Sequence, residues 1–289
     1  MFGLLNVDKP AGLTSRDVVN RVQRLVRPHK VGHAGTLDPL ATGVLVVAVG
    51  PATRLVEYVQ QMPKTYQATF LLGRTSDTED IEGTVVELPA PVVPTSAEVE
   101  AVLPRFLGTI KQRPPAYSAL KVSGQRAYEL ARRGGAVELA PRSVEVHSLE
   151  IVRHDYPELE LLVRCGSGTY IRSLGRDLAV ALGTGAVMSA LRRLAIGSFT
   201  TTDAVACDDL SLIHIQARLL PPLLAVGDMP RIALSEDEIA CVTRGQPIAD
   251  KWAVSGDEIG AVDSHGHLVA ILKTDGDGTL RPTKCFVQT

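Results

Sequence analysis

The run GVLVVAVG, residues 43–50, constrains this chain more than any other stretch. Apolar and mostly β-branched residues fill every position between its two glycines, leaving none to face water. That is the pattern of a strand buried on both faces. A chain that contains one must supply a packed layer against each side of it. Just ahead of it, in GHAGTLDPLAT, a single acid, Asp38, falls among turn-forming residues. Aspartate in such a turn commonly accepts backbone N–H bonds, and local sequence by itself favours that ordinary role.

The elements around this strand alternate irregularly. SRDVVNRVQRLVR predicts a helix capped by Ser15, with Val18, Val19, Val22, Leu25 and Val26 on one face. PATRLVEYVQQM predicts a helix with Pro51 in its first turn. TYQATFLLG alternates as a strand, with Tyr66, Ala68, Phe70 and Leu72 on one face, and the polar loop GRTSDTEDIEG leads to a further strand, TVVEL. Ser96 is expected to cap the helix AEVEAVLPRFLG. PPAYSALKVSG reads as a basic loop followed by a helix, and ELELLVRCG reads as a strand leading through a glycine turn into the helix SLGRDLAVAL. Several strand pairs are close in sequence, which favours a mixed, largely antiparallel α+β sheet flanked by helices over a doubly wound parallel one. LPPLLAVGDMP marks a boundary, dividing the chain into residues 1–228 and a small β-rich unit, 229–289, built of short strands and turns.

At 45% apolar and 21% charged residues, the composition is that of a globular protein. No apolar run reaches the roughly 18 residues of a membrane span. MFGLLNVDKP meets Asp8 and Lys9 too early for a signal peptide. The cysteines at 165, 207, 241 and 285 form no CxxC pair and read as reduced thiols of a cytoplasmic protein. The net charge is −2, but residues 1–200 hold 23 Lys and Arg against 19 Asp and Glu, and residues 201–289 hold 7 against 13. Local basic patches for phosphate are therefore compatible with the near-neutral total.

Asp38 has no obvious chemical companion in the sequence. A glycosidase needs two carboxylates, and Asp77, Glu79 and Asp80 stand in a loop with no fixed spacing to it. His29 and His33 have no partner at zinc-ligand spacing, and His265 and His267 read as exposed polar residues. Neither GxxxxGK[ST] nor GxGxxG is present, so nucleotide hydrolysis and hydride transfer lack support.

Five ordered segments, NVDKPAGLTS, KVGHAGTLDPLATGVL, KTYQATFLLG, RPPAYSALKVSGQRAYELAR and GTYIRSLGRDL, closely resemble the TruB family of tRNA pseudouridine-55 synthases over roughly residues 4–200. The resemblance implies the pseudouridine synthase fold and the isomerisation of a uridine in the tRNA T loop. The N-glycosidic bond breaks, the uracil turns, and it rejoins the ribose through carbon. No water enters, so a lone carboxylate suffices. The family's catalytic aspartate falls on Asp38, acting as nucleophile at sugar or base, or as base at the ribose 2′ position. Its paired arginine falls on Arg172, which would keep Asp38 ionised and activity flat through neutral pH. Its active-site tyrosine falls on Tyr66, placed to stack on the target base. His33 matches the histidine beside the extruded nucleotide, as an uncharged wedge, and Leu191 matches a pocket-wall position. Lys9 and Lys64, with Arg113, Lys121, Arg126, Arg132 and Arg133, are candidates for RNA-backbone contacts. The resemblance implies no metal or organic cofactor. The partner is the T stem-loop of tRNA. With no long basic extensions like those of a guide-dependent relative, a monomer without an obligatory protein partner is expected. Residues 229–289 resemble, more distantly, a PUA-type RNA-binding domain.

Overall fold

The computed structural model describes residues 1–117, 139–252 and 254–286, together with the backbone of 121–122 and 125–126. The predicted helix after the basic loop lies outside these residues. Strands β1 (Gly3–Lys9), β2 (Val31–His33), β3 (Thr42–Val49), β4 (Lys64–Leu72), β5 (Gly108–Gln112), β6 (Arg142–Asp155), β7 (Glu158–Cys165), β8 (Ala186–Ile196), β9 (Phe199–Thr200) and β10 (Val205–Ala206) form one sheet. Its order is β10-β1-β3-β8-β4-β7-β6-β5, with β2 on β3 and β9 on β8. Among these pairs only β1–β10 and β3–β8 are parallel. This is the mixed, largely antiparallel α+β architecture that the strand spacing predicted.

The central strand β3 is buried on both faces, as its sequence demands. Leu45, Val47 and Val49 pack with Val18, Val22 and Val26 on and just after helix α1 (Ser15–Leu25) and with Ile215 of a later helix. Val44, Val46 and Ala48 pack on the opposite side with Ala52, Leu55 and Val59. The segment carrying these last three is a 3₁₀ turn, Gly50–Leu55, running into the short helix α2 (Val56–Gln61), rather than one continuous α-helix. Strand β4 shows the expected alternation, with Tyr66, Ala68, Phe70 and Leu72 buried in a third core region.

Two helix starts differ from expectation. Helix α1 is capped by Thr14, whose hydroxyl accepts from the Asp17 amide at 3.1 Å while Asp17 accepts from the Thr14 amide at 2.9 Å. Helix α3 (Ser96–Val102) is capped in the same way by Thr95 and Glu98. Each reciprocal box needs an acid three residues on, and Ser15 and Ser96 have Val18 and Val99 there instead. The expected strand TVVEL is reduced to Val86–Glu87, paired with Arg74–Thr75.

Helix α4 (Ile171–Ala181) lies unusually close to the sheet. A Cβ at Gly175 would come within 2.0 Å of the Phe70 ring, so only glycine permits this approach. Helix α5 (Leu212–Arg218) completes the layer beside α1.

A second sheet holds β11 (Arg231–Ala233), β12 (Ile248–Ala249), β13 (Ile259–Val262), β14 (Leu268–Thr274) and β15 (Thr279–Cys285), in the order β11-β13-β14-β15-β12. It also carries a helix the sequence reading did not anticipate, α6 (Glu236–Thr243), started by a Ser235–Glu238 capping box. Leu268, Ile271 and Phe286 join the core beneath β3. Phe286 stacks on Phe2 at 5.3 Å between centroids, Arg54 donates to the Cys285 carbonyl at 2.8 Å, and Lys284 pairs with Glu57. The acidic C-terminal segment is thus docked on the main body through an apolar contact with a charged rim.

Candidate active site

Asp38 sits in the loop between β2 and β3, and that loop is held from below. Ser15, displaced from the cap position, turns inward. Its hydroxyl accepts from the Leu37 amide at 2.8 Å and donates to the Leu37 carbonyl at 3.2 Å. Lys9 is fully buried, and its ammonium donates to the carbonyls of Pro10 at 2.8 Å, Leu13 at 2.6 Å and Pro39 at 3.3 Å. Its three donors are therefore spent on three carbonyls around the Asp38 loop. Lys9 is not an RNA-phosphate contact, because no part of it reaches the surface. Burial lowers its pKa to about 8, against the attraction of Asp38.

The pocket beside this loop has a volume of about 290 Å³, and its walls include Asp38, Lys64, Tyr66, Arg172, Leu191 and Arg193. Helix α4 places Arg172 in its first turn, and the guanidinium stands 3.0 Å from the Asp38 carboxylate. The same guanidinium lies 3.4 Å from Asp80 and donates to the carbonyls of Thr78 at 2.9 Å and Tyr117 at 3.1 Å. It is buried, while the Asp38 side chain remains 36% exposed where it lines the pocket. Burial raises the Asp38 pKa above the ordinary carboxylate value, Arg172 pulls it back, and nearby Asp80 adds to the rise.

Asp80 is the second carboxylate that the spacing of the SDTED loop did not reveal. It is buried, and it accepts from Thr78 Oγ1 at 2.6 Å and from the Glu82 amide at 3.1 Å. It faces Arg172 rather than the pocket, whose lining does not include it. Its arrangement orients the guanidinium and does not supply a hydrolytic acid.

Tyr66 forms a wall of the pocket and stands opposite Arg193 across the β4–β8 register. Arg193, 1% exposed, donates to the Val44 carbonyl at 2.7 Å and the Gly35 carbonyl at 3.1 Å, and its charge lies close enough to the Tyr66 phenol to act on its ionisation. Burial pushes the phenol pKa up, so the hydroxyl stays protonated at neutral pH. Sequence reading missed Arg193. Its only signal is two adjacent arginines inside the otherwise apolar strand of SALRRLAI, where a buried one needs polar partners.

Leu191 lines the pocket as expected. Lys64 lines it too, but it is buried and donates to the Gln60 carbonyl, so it belongs to the pocket interior and not to an outer phosphate track. Burial lowers its pKa to about 8, and Arg193 adds to the effect. His33 is half-buried on β2 and is not among the lining residues. Burial and Arg16 lower its pKa, which keeps the ring neutral. Arg113 is exposed and is not among the lining residues. The side chains of Lys121 and Arg126, and all of Arg132 and Arg133, lie outside the described residues. Among the described residues no cluster of three or more His, Cys, Asp or Glu side chains is arranged to hold a metal ion, and no helix is long and apolar enough to cross a membrane.

Comparison with known proteins bears on this geometry. Residues 23–171 match the model of the TruB family pseudouridylate synthase N-terminal domain, and residues 172–224 match that of the tRNA pseudouridylate synthase B C-terminal domain. The chain is 40% identical over 291 residues to tRNA pseudouridine synthase B of Dehalococcoides mccartyi (strain ATCC BAA-2266 / KCTC 15142 / 195), covering 99% of this chain and 97% of the relative. It is 45% identical over 253 residues to the protein of the same name from Gluconacetobacter diazotrophicus, covering 86% and 82%. A solved H/ACA RNP bound to a substrate RNA containing 2'-deoxyuridine contains a chain that superposes with a TM-score of 0.76 at 26% identity, covering 99% of this chain and 86% of that one. A chain in a Cbf5-Nop10-Gar1 complex superposes with a TM-score of 0.75 at 27% identity, covering 100% and 84%.

Proposed function

Because the chain belongs to the TruB family of pseudouridylate synthases and so isomerises uridine to pseudouridine in tRNA, we propose that its target is the T-loop uridine at position 55, extruded into the Asp38 pocket. The observation that carries this reading is the Asp38–Arg172 ion pair at 3.0 Å, set in a pocket walled by Tyr66 and Leu191.

The target base starts inside a stacked RNA loop, and taking it out costs on the order of a few kcal/mol. Stacking on the Tyr66 ring offsets roughly 1–3 kcal/mol of that. Tyr66 stands opposite Arg193 in the register of β4 with β8, the strand that also carries Leu191. With the uridine seated, its ribose meets the Asp38 carboxylate. A negative charge there serves attack on C1′, attack on the base, or removal of the 2′ proton. Arg172 maintains that charge in a site poor in water and fixes the direction of the carboxylate. When the N1–C1′ bond breaks, its electron pair leaves with the uracil. The pocket walls retain the base, which turns to present C5. The C5–C1′ bond forms, the C5 proton departs, and N1 takes up a proton. Reactant and product have the same atoms, so neither water nor a second acid is consumed.

RNA-backbone contacts fall to exposed cations, Arg113 among them, since Lys9 and Lys64 are committed inside the protein. Residues 229–289 serve as a PUA-like RNA-binding unit fixed to the catalytic body by the Phe2–Phe286 contact. The enzyme acts as a cytoplasmic monomer without a required protein partner. The test is incubation of the purified protein with unmodified tRNA, followed by mass mapping of pseudouridine. Wild type is expected to modify position 55, and Asp38→Ala to abolish modification while still binding tRNA. Full activity in that variant would end the proposal.

A further inference from the structure

The turn Ser76–Glu82 lines no part of the pocket, yet it supplies one of the two carboxylates on Arg172. At its centre is Glu79, the single non-glycine with a left-handed backbone among the described residues, at φ 65°. An L side chain enters that conformation at a cost that glycine does not bear, so the contacts of Glu79 have to compensate. Its carboxylate accepts from Ser173 Oγ at 2.8 Å and forms an ion pair with Arg176, both on helix α4. Its side chain is only 13% exposed.

The left-handed turn makes three consecutive residues bear on one helix. The Thr78 carbonyl and the Asp80 carboxylate converge on Arg172, and Glu79 between them grips the helix at Ser173 and Arg176. On its other side the turn is bonded to β8, through the Met188 amide to the Glu79 carbonyl at 3.0 Å and the Ile81 amide to the Met188 carbonyl at 3.1 Å. Arg176 also donates to the Arg113 carbonyl at 2.9 Å, four residues before the Tyr117 carbonyl that accepts from Arg172. Both backbone segments that surround the Arg172 guanidinium are therefore tied to α4 through Arg176, one helical turn along from Arg172.

We propose that Glu79 is a positioning residue for the isomerisation: clamped by Ser173 and Arg176, it holds the turn that brings Asp80 and the Thr78 carbonyl onto Arg172 and so aims Arg172 at Asp38. The inference rests on the reading of Asp38 and Arg172 as the reacting pair.

The experiment measures the single-turnover rate at saturating unmodified tRNA, the tRNA Kd and the melting temperature for full-length Glu79→Gly, Glu79→Gln, Arg176→Ala and the Glu79→Gly/Arg176→Ala double variant. Glycine keeps the left-handed turn without its steric cost and removes the clamp. Glutamine keeps the shape and the Ser173 bond and removes the charge. The expected result is a rate at least tenfold lower for Glu79→Gly and several-fold lower for Glu79→Gln, with Kd within twofold of wild type. The double variant should be no slower than the slower single. A Glu79→Gly rate within twofold of wild type, multiplicative effects in the double variant, or weakened tRNA binding at an unchanged rate would each overturn the proposal. Should Glu79→Gly melt below the assay temperature, Glu79→Gln and its combination with Arg176→Ala decide by the same criteria. Asp38→Ala is run alongside. Activity in that variant defeats the underlying reading, whereas an inactive Asp38→Ala with a normal Glu79→Gly defeats this inference alone.

Discussion

Replacing Arg172 by lysine tests the site most directly, because it keeps the positive charge and removes the geometry. The guanidinium serves four oxygen partners at once: Asp38 at 3.0 Å, Asp80 at 3.4 Å and the carbonyls of Thr78 and Tyr117 at 2.9 and 3.1 Å. A lysine ammonium has three donors at a single point and cannot span two carboxylates on opposite sides of a planar fork. At least one charged bond is lost, each worth about 1.5–3 kcal/mol. If that loss is felt in the transition state, the rate falls by about 10- to 150-fold, at 1.36 kcal/mol per factor of ten. The assay is release of the C5 hydrogen from tRNA labelled at uridine C5, under single-turnover conditions. Arg172→Met goes further. Without the guanidinium, burial and Asp80 are opposed only by the Lys9 charge, and the Asp38 pKa, already raised, climbs further. The active form is the carboxylate, so activity is lost as pH falls through that pKa. The acid limb of the rate profile should therefore lie at higher pH in Arg172→Met than in wild type. An Arg172→Lys rate within threefold of wild type, or an acid limb unmoved in Arg172→Met, would refute the pairing as the source of reactivity. The raised Asp38 pKa places the acid limb of wild type above that of an ordinary aspartate.

Tyr66→Phe keeps the stacking ring but removes the phenol oxygen near the buried Arg193 charge, whereas Tyr66→Ala removes the ring. The alanine variant is expected to lose about 5- to 150-fold in rate, from roughly 1–3 kcal/mol of stacking at 1.36 kcal/mol per factor of ten. The phenylalanine variant should lose less in rate and also melt lower than wild type. Equal activity of Tyr66→Ala and wild type would contradict the stacking role. Burial brings the pKa values of Lys9 and Lys64 down to about 8 in the folded protein, below the ordinary lysine value of 10.5, so the unfolded chain binds more protons between those limits. Their contribution to stability therefore rises with pH from about 8 to 10.5 and is least favourable below 8. Urea titrations at pH 7.5 and 10 should show this gain for wild type and a smaller one for Lys64→Met. An identical pH slope in the two proteins would rule Lys64 out as a source.

The caps illustrate how much local sequence could say. Thr14–Asp17 and Thr95–Glu98 satisfy the capping-box rule, and the preference for Ser15 and Ser96 came from applying only half of it. Lys9 marks the opposite limit. Nothing in VDKPAG distinguishes a lysine that reaches RNA from one that staples three carbonyls, because its acceptors include Pro39, brought near only when the loop folds back. Helix α6 was hidden because an eight-residue helix with one buried residue has too little apolar periodicity to declare itself.

Legible in the residues alone were the doubly buried strand 43–50, the alternating face that carries Tyr66, the position of Asp38 in a loop beside that strand, and, by resemblance, the family. These depend on backbone periodicity and short motifs, which act over a few residues. Folding in three dimensions settles that Asp38 and Asp80 share one guanidinium, that Arg193 stands across from Tyr66, and that Glu79 grips the helix bearing Arg172. Thr78 and Arg172 are 94 positions apart, and no periodicity reaches so far. Which buried charges meet is settled when the sheet closes, because each must find a partner there or leave the interior.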